Sequence, residues 1–203
     1  MLIFWKARLV LLAVPKTGTT ALEDALAPLA DAAILNPPGL KHCTVKKFRR
    51  ELSAFFEQKG RRPMELVAVM REPVSWLGSW YRYRSRPELA GHVNSTVGID
   101  FDSFVRAYLT EPQPDFAKVG SQANFLAGGV QHLFAYDRLD RLHRFLEDRL
   151  GQGIETARVN VSPEGVTELG SATRQALAEG RAEDFALWER LMAADGVLTN
   201  DPA

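Results

Sequence analysis

Residues 8–30 read RLVLLAV, then PKTGTT, then ALEDALAPLA. A short unbroken apolar run is what a strand buried on both faces looks like. The leucines at 22, 26 and 29 lie on one side of a helix. Strand, glycine turn and helix in immediate succession commit the start of the chain to an α/β architecture, and they create an anion site. The first backbone N–H groups of a helix lack partners and carry the positive end of its dipole. Gly18 lets the backbone approach a ligand closely, Thr17, Thr19 and Thr20 add hydroxyl donors, and Lys16 adds a mobile charge. The order of residues differs from that of a nucleotide-hydrolysing P-loop, G-x-x-x-x-G-K-[ST]: here the lysine precedes the glycine.

The same alternation continues. AAIL (32–35) reads as a short strand stopped by the turn Asn36-Pro37-Pro38-Gly39. Thr44 can N-cap a helix running to Gly60. ELVAVM (65–70) is a second buried strand, after which Pro73 occupies a first helical turn. Asp100 or Asp102 can cap FDSFVRAYL, QHLFAY (131–136) is a further strand, and an amphipathic helix follows it. Helical pieces at 171–179 and 182–193 finish the chain. The expected fold is α/β, a central, mostly parallel β-sheet flanked by helices, in one domain over residues 1–203.

Lys+Arg and Asp+Glu are 25 each, so the net charge is zero, which speaks against nucleic acid or an anionic membrane as a bulk electrostatic partner. A local basic site for one small anion is compatible with it. The single cysteine, Cys43, permits no internal disulfide and fits a reducing, cytoplasmic setting. The apolar start of the chain is too short to span a bilayer, and no transmembrane stretch is expected. The four histidines, His42, His92, His132 and His143, have no metal-ligand spacing, so no metal site is expected.

A second anion-binding element stands at the end of ELVAVM, where open α/β sheets bind ligands. It reads REPVSWLGSWYRYRSR, with Arg71 at the strand end and Ser79 on the helix that follows. Arg82 and Arg86 share the face of Ser79, and Trp76, Trp80 and Tyr83 form a neighbouring stripe that also suits core packing. Together PKTGTT and REPVSWLGS resemble the sulfotransferases that use 3′-phosphoadenosine 5′-phosphosulfate (PAPS), in the style of their carbohydrate-type and bacterial branch. FAYDRLDRLHRFLEDRLG and the NVSP segment (160–163) are similar to later parts of that family.

The resemblance implies a P-loop-like sulfotransferase fold and transfer of a sulfuryl group from PAPS to a hydroxyl, carbohydrate hydroxyls included, releasing adenosine 3′,5′-bisphosphate (PAP) with no metal. It places the 5′-phosphosulfate on Lys16, Thr17, Gly18, Thr19 and Thr20, and the 3′-phosphate on Arg71 and Ser79. Lys16 is then catalytic, neutralising the leaving oxygen, and His42 is the candidate general base, since related enzymes carry a histidine or glutamate after the second strand. Glu23 is an alternative base that also reads as a solvated helix-face carboxylate. Gln122 and Asn160 are further candidates near cofactor or acceptor. A buried, structural His132, a solvated His143 and a helix-entry or surface role for His42 are the plain alternatives. At the level of function the alternatives are a P-loop-type kinase, against which the strand-end Arg71 in place of an acid argues, and a catalytically inactive nucleotide-binding protein of the same fold.

Overall fold

A computed structural model describes residues 1–154 and 168–200. In chain order the elements are β1 (Leu2–Phe4), β2 (Leu9–Leu11), α1 (Thr19–Leu26), β3 (Ala32–Ala33), α2 (Pro38–Lys41) and α3 (Val45–Lys47). The last passes through a π-helical turn (Phe48–Leu52) into α4 (Ser53–Phe56). There follow β4 (Glu65–Met70), α5 (Pro73–Arg84), α6 (Phe101–Tyr108), α7 (Gln122–Leu126), β5 (His132–Ala135) and α8 (Leu139–Leu150). The described part ends with α9 (Ser171–Gly180), α10 (Ala182–Ala193) and β6 (Val197–Thr199). The candidate Asn160 and the NVSP segment lie outside the described residues.

The strands form one open sheet in the order β3-β1-β2-β4-β5-β6. The chain is α/β as expected, but the sheet is mixed where a mostly parallel one was expected. Parallel pairing runs only through β2–β4 and β4–β5, while β1–β2, β1–β3 and β5–β6 are antiparallel. The added antiparallel pairs come from segments with weak sequence signals. β1 and β2 form a hairpin whose turn, Trp5–Arg8, carries no glycine or asparagine; Arg8 itself takes φ 59°. β6 is only three residues long.

The three parallel strands are buried on both faces, and their side chains alternate between two cores. Val10, Leu66, Ala68, Met70 and Leu133 face one side, packed with Val45, Phe48, Phe125 and Leu191. Leu9, Leu11, Val67, Val69 and Phe134 face the other, against Leu22, Leu26, Leu142 and Leu146 of α1 and α8. Each such fully buried aliphatic side chain contributes about 1.5–3 kcal/mol. A third cluster, with Trp76, Leu77, Phe104, Tyr108 and Leu177, holds α5, α6 and α9 together. Helix starts follow the expected caps. Thr44 accepts from Lys47 N at 3.2 Å, and Asp100, not Asp102, accepts from Ser103 N at 2.8 Å. At the far end of the sheet Glu65 binds Arg149 through two contacts of 2.8 and 2.9 Å and His132 at 2.7 Å. His132, its ring 4.6 Å from that of Phe145 and tilted to it, is structural, as its place in a buried strand suggests.

Candidate functional site

The carboxyl ends of β2, β4 and β5 lie side by side, and the residues that leave each strand meet there. From β2 the chain enters the loop 14–18. Lys16 takes φ 65° and Gly18 φ 75°, ψ 15°, a left-handed turn that only glycine adopts without strain at the second position. A Cβ on Gly18 would also stand 3.1 Å from the ring of Tyr136, the residue that follows β5. Gly18 is the N-cap of α1, no side chain caps that helix, and no acid lies in its first turn. The free N–H groups of Thr19 onward are left for a ligand. Thr17 is fully buried and donates its hydroxyl to Val14 O at 2.9 Å; it closes the loop instead of offering that proton outward. Thr19 is half-buried and Thr20 exposed at the mouth.

From β4 the chain passes through Arg71-Glu72-Pro73, and each residue has a separate task. Glu72 accepts from Ser75 N at 2.6 Å and so caps α5, while Pro73 starts the helix where no N–H is needed. Arg71 is aimed along the helix: its Nε donates to Ser75 Oγ at 2.8 Å and its Nη1 lies 3.5 Å from Lys16 O. Its guanidinium carbon sits 4.5 Å over the Tyr136 ring. Ser79, one turn beyond Ser75, is buried. Trp76 ties α5 to the loop by donating Nε1–H to Pro15 O at 2.8 Å.

The structure thus brings Lys16, Gly18, Arg71 and Ser79 onto two adjoining elements, with Tyr136 between loop and arginine. The charge on this face is unbalanced. Among the described residues the ion pairs of the chain lie elsewhere, and Lys16, Arg71 and Arg82 have none. Burial lowers the basicity of Arg71; Tyr136, Asp137 and Glu72 nearby oppose the shift and Arg82 adds to it. Among the described residues two buried donors on this helix, Arg82 Nε and Trp80 Nε1, have no hydrogen-bond partner, as do Arg62 Nε and Arg181 Nε elsewhere in the chain. A buried unpaired donor costs free energy, and beside Arg71 the one on Arg82 is available to an anion.

Lys16 is not turned into the loop. Its ammonium lies 3.3 Å from the Tyr83 ring centroid and 4.7 Å from that of Trp80. Burial, with Arg86 and Arg84 beside it, pushes it down to about 7. The aromatic stripe therefore divides: Trp76 is core, whereas Trp80 and Tyr83 receive the lysine.

His42 follows α2 and brings its Nδ1 to 2.7 Å from Ala13 O, just before the loop. A carbonyl only accepts, so Nδ1 carries the proton and Nε2 keeps its lone pair. Burial holds the imidazole below its ordinary value, so it is neutral at pH 7 with a free basic nitrogen. Glu23 is not the solvated carboxylate expected: it is buried and paired with Lys41 at 2.5 Å, because α1 turns that side of the helix inward against α2. His143 is half-buried, not solvated, and burial lowers it too. His92 is exposed.

Gln122, one of the looser candidates, has a definite place. It is buried, its Oε1 accepts from Arg71 N at 2.8 Å and its Nε2 donates to Arg71 O at 2.7 Å, a side-chain imitation of the β-ladder just where β4 stops. α7, which carries Gln122, is held in turn by Asp184, whose Oδ1 accepts from Ala123 N at 2.9 Å. Gln122→Leu is expected to lower stability by about 1–3 kcal/mol for each backbone group it strands, read by urea denaturation. Tyr136 and Arg82 had no assigned role in the sequence reading; the one signal for Tyr136 was its position as last residue of a predicted strand. Comparison of the chain with protein-family models, with curated proteins and with solved structures gives no match.

Proposed function

We propose that the chain is a PAPS-dependent sulfotransferase with a P-loop-like sulfotransferase fold, whose parallel centre, β2–β4–β5, carries the site. The observation that carries this reading is the pair of convergent cationic elements, whose Lys16, Arg71 and Arg82 form no ion pair among the described residues. Lys16 and the open α1 N-terminus stand on one side, and Arg71, Ser79 and the orphaned Arg82 Nε on the other. They suit a ligand with two separate anionic groups, which PAPS has and a single-phosphate ligand lacks.

In this reading the Gly18–Thr20 amides and Lys16 hold the 5′-phosphosulfate, and Arg71, Ser79 and Arg82 hold the 3′-phosphate. PAPS supplies an activated sulfuryl group on a good leaving group. Lys16 moves from the Tyr83 ring to the loop when an anion arrives, because an ammonium gains more from a full negative charge than from a ring quadrupole, worth about 0.5–2 kcal/mol. His42 Nε2 takes the proton of the acceptor hydroxyl, a contribution of about 10²–10⁴-fold. The setting is cytoplasmic in this reading; no helix among the described residues is long and apolar enough to cross a membrane.

Thermal unfolding with PAP in the absence of Mg²⁺ tests the reading. At about 100 times its dissociation constant PAP should add about 2.7 kcal/mol, raising Tm by roughly 5–10 °C for a chain of this size. Stabilisation by Mg·ATP with none by PAP would overturn it in favour of a kinase.

A further inference from the structure

Resting on that reading, we propose that a cavity beside the loop is the acceptor site, and that it takes an uncharged, largely apolar alcohol or phenol of about one ring. A polyhydroxylated or anionic sugar does not suit it. The cavity measures about 200 Å³, and Val14, Pro15, Trp76, Val119 and Phe125 supply its apolar walls. Two of them, Val14 and Pro15, immediately precede Lys16, and Thr44 on its rim stands two residues beyond His42. The cavity therefore touches the loop on one side and the base-bearing segment on the other. Cavities of about 280 and 340 Å³ also exist, but Val130 and Gln131 before β5 line one, and Lys6 and Ala7 before β2 line the other. Both lie at the opposite end of the sheet.

Size, charge and hydrogen bonding select the occupant. An apolar cavity of about 150 Å³ holds one benzene, so this one has room for a single ring with a short substituent. Among the described residues no lysine, arginine, aspartate or glutamate lines the cavity; the cations of the site belong to the nucleotide side of the loop. An anionic acceptor would be desolvated there without a partner.

Two of the polar groups in the wall are already engaged. The Gln122 amide is spent on the Arg71 backbone, and the Trp76 N–H goes to Pro15 O. Thr44 Oγ1 accepts from Lys47 N and Ser121 Oγ from Asn124 N at 3.1 Å, so each keeps one proton to give, and the exposed Asn124 side chain adds an amide at this polar edge. A hydroxyl at that edge is satisfied, whereas the hydroxyls of a polyol that face Val14, Pro15, Trp76, Val119 and Phe125 would be stranded.

The step balances without a further reactant. The acceptor oxygen forms its bond to sulfur as the bond from sulfur to the bridging oxygen breaks. The electron pair leaves on the 5′-phosphate and the acceptor's proton passes to His42 Nε2. Alcohol and donor become a sulfate monoester, PAP and a proton.

The test separates this inference from the reading it rests on. PAP titration by calorimetry reads the nucleotide site alone, and failure of PAP to bind overturns the sulfotransferase reading. Saturation-transfer NMR with benzyl alcohol reads the cavity without turnover. Binding is expected in the wild type and lost in Val119→Trp, with PAP affinity unchanged in both. In turnover with PAPS, benzyl alcohol should be sulfated, glucose and glucuronic acid should not, and Val119→Trp should lower kcat/KM for benzyl alcohol at least tenfold. Should Val119→Trp fail to fold, Val119→Ala serves, and it should extend acceptance to two-ring alcohols. PAP binding combined with no benzyl alcohol signal, with sulfation confined to the sugars, or with an acceptor kcat/KM indifferent to residue 119 would overturn the acceptor assignment and leave the nucleotide reading standing.

Discussion

Replacing Arg71 with alanine is expected to weaken PAP binding by about 10²-fold or more, while leaving the unliganded protein as stable as before or more stable. The two halves of that expectation have one cause. The guanidinium is partly buried and forms no ion pair among the described residues; desolvation lowers its basicity more than Tyr136, Asp137 and Glu72 nearby restore it, so in the empty site its charge is a cost. Its side-chain bonds, to Ser75 Oγ and weakly to Lys16 O, offset only part of that cost. When a phosphate arrives, the same charge forms hydrogen bonds worth about 1.5–3 kcal/mol each, and every 1.4 kcal/mol is tenfold in affinity. The backbone of residue 71 stays clamped by Gln122, so the strand end does not collapse in the variant. Arg71→Lys should fall between, since it keeps the charge and loses the planar fork. Calorimetry with PAP and urea denaturation of the unliganded forms check both halves. A structural arginine would give the reverse pattern, lost stability with unchanged PAP affinity, and that result would remove Arg71 from the site.

The sequence carried the site further than it carried the sheet. Loop and REP segment were legible because each combines a conformational demand with a chemical one: a left-handed turn at Gly18, a proline at the first turn of α5, and cations placed at strand ends. The buried strands were legible by their continuous apolar runs. The hairpin β1–β2 was not, because its turn lacks the usual residues and its first strand looks like any apolar terminus. The antiparallel edge at β6 was hidden by its brevity, and so the sheet came out mixed. Within the site, Lys16 was legible as a charge but not as a charge lying on Tyr83, since side-chain direction depends on the φ of 65° at residue 16. Glu23 was misread as solvated for a related reason. Helical periodicity reports one apolar stripe and is silent about a carboxylate that α2 covers with Lys41. Tyr136 could be placed only once three strand ends were known to converge.

Lys16→Ala is expected to lower kcat for sulfuryl transfer by about 10²–10³-fold, the usual cost of one well-placed donor to a charge that develops in the transition state. The resting state of this lysine adds a pH signature that alanine abolishes. An ordinary lysine keeps its proton to about pH 10.4, whereas burial against Trp80 and Tyr83, with Arg86 and Arg84 close by, pushes Lys16 down to about 7. In the free protein at pH 8 it is therefore mostly neutral. A bound 5′-phosphate restores the charged form, so PAP binding at pH 8 takes up close to one proton. By linkage the complex holds a proton that the free protein has lost, and PAP affinity falls as pH rises from about 7 towards 10. Below about 7 the free lysine is already charged and affinity no longer changes on its account. The phosphates of PAP do not confuse the count at pH 8, since their second ionisation, near pH 6, is complete. Calorimetry at pH 8 in buffers of different ionisation enthalpy reads the uptake directly: close to one proton in the wild type and none in Lys16→Ala. Uptake that persists in Lys16→Ala would place the proton on another group and leave Lys16 without the role assigned to it. Uptake lost together with the 10²–10³-fold of kcat would tie the lysine that rests on Tyr83 to the one that stabilises the leaving oxygen.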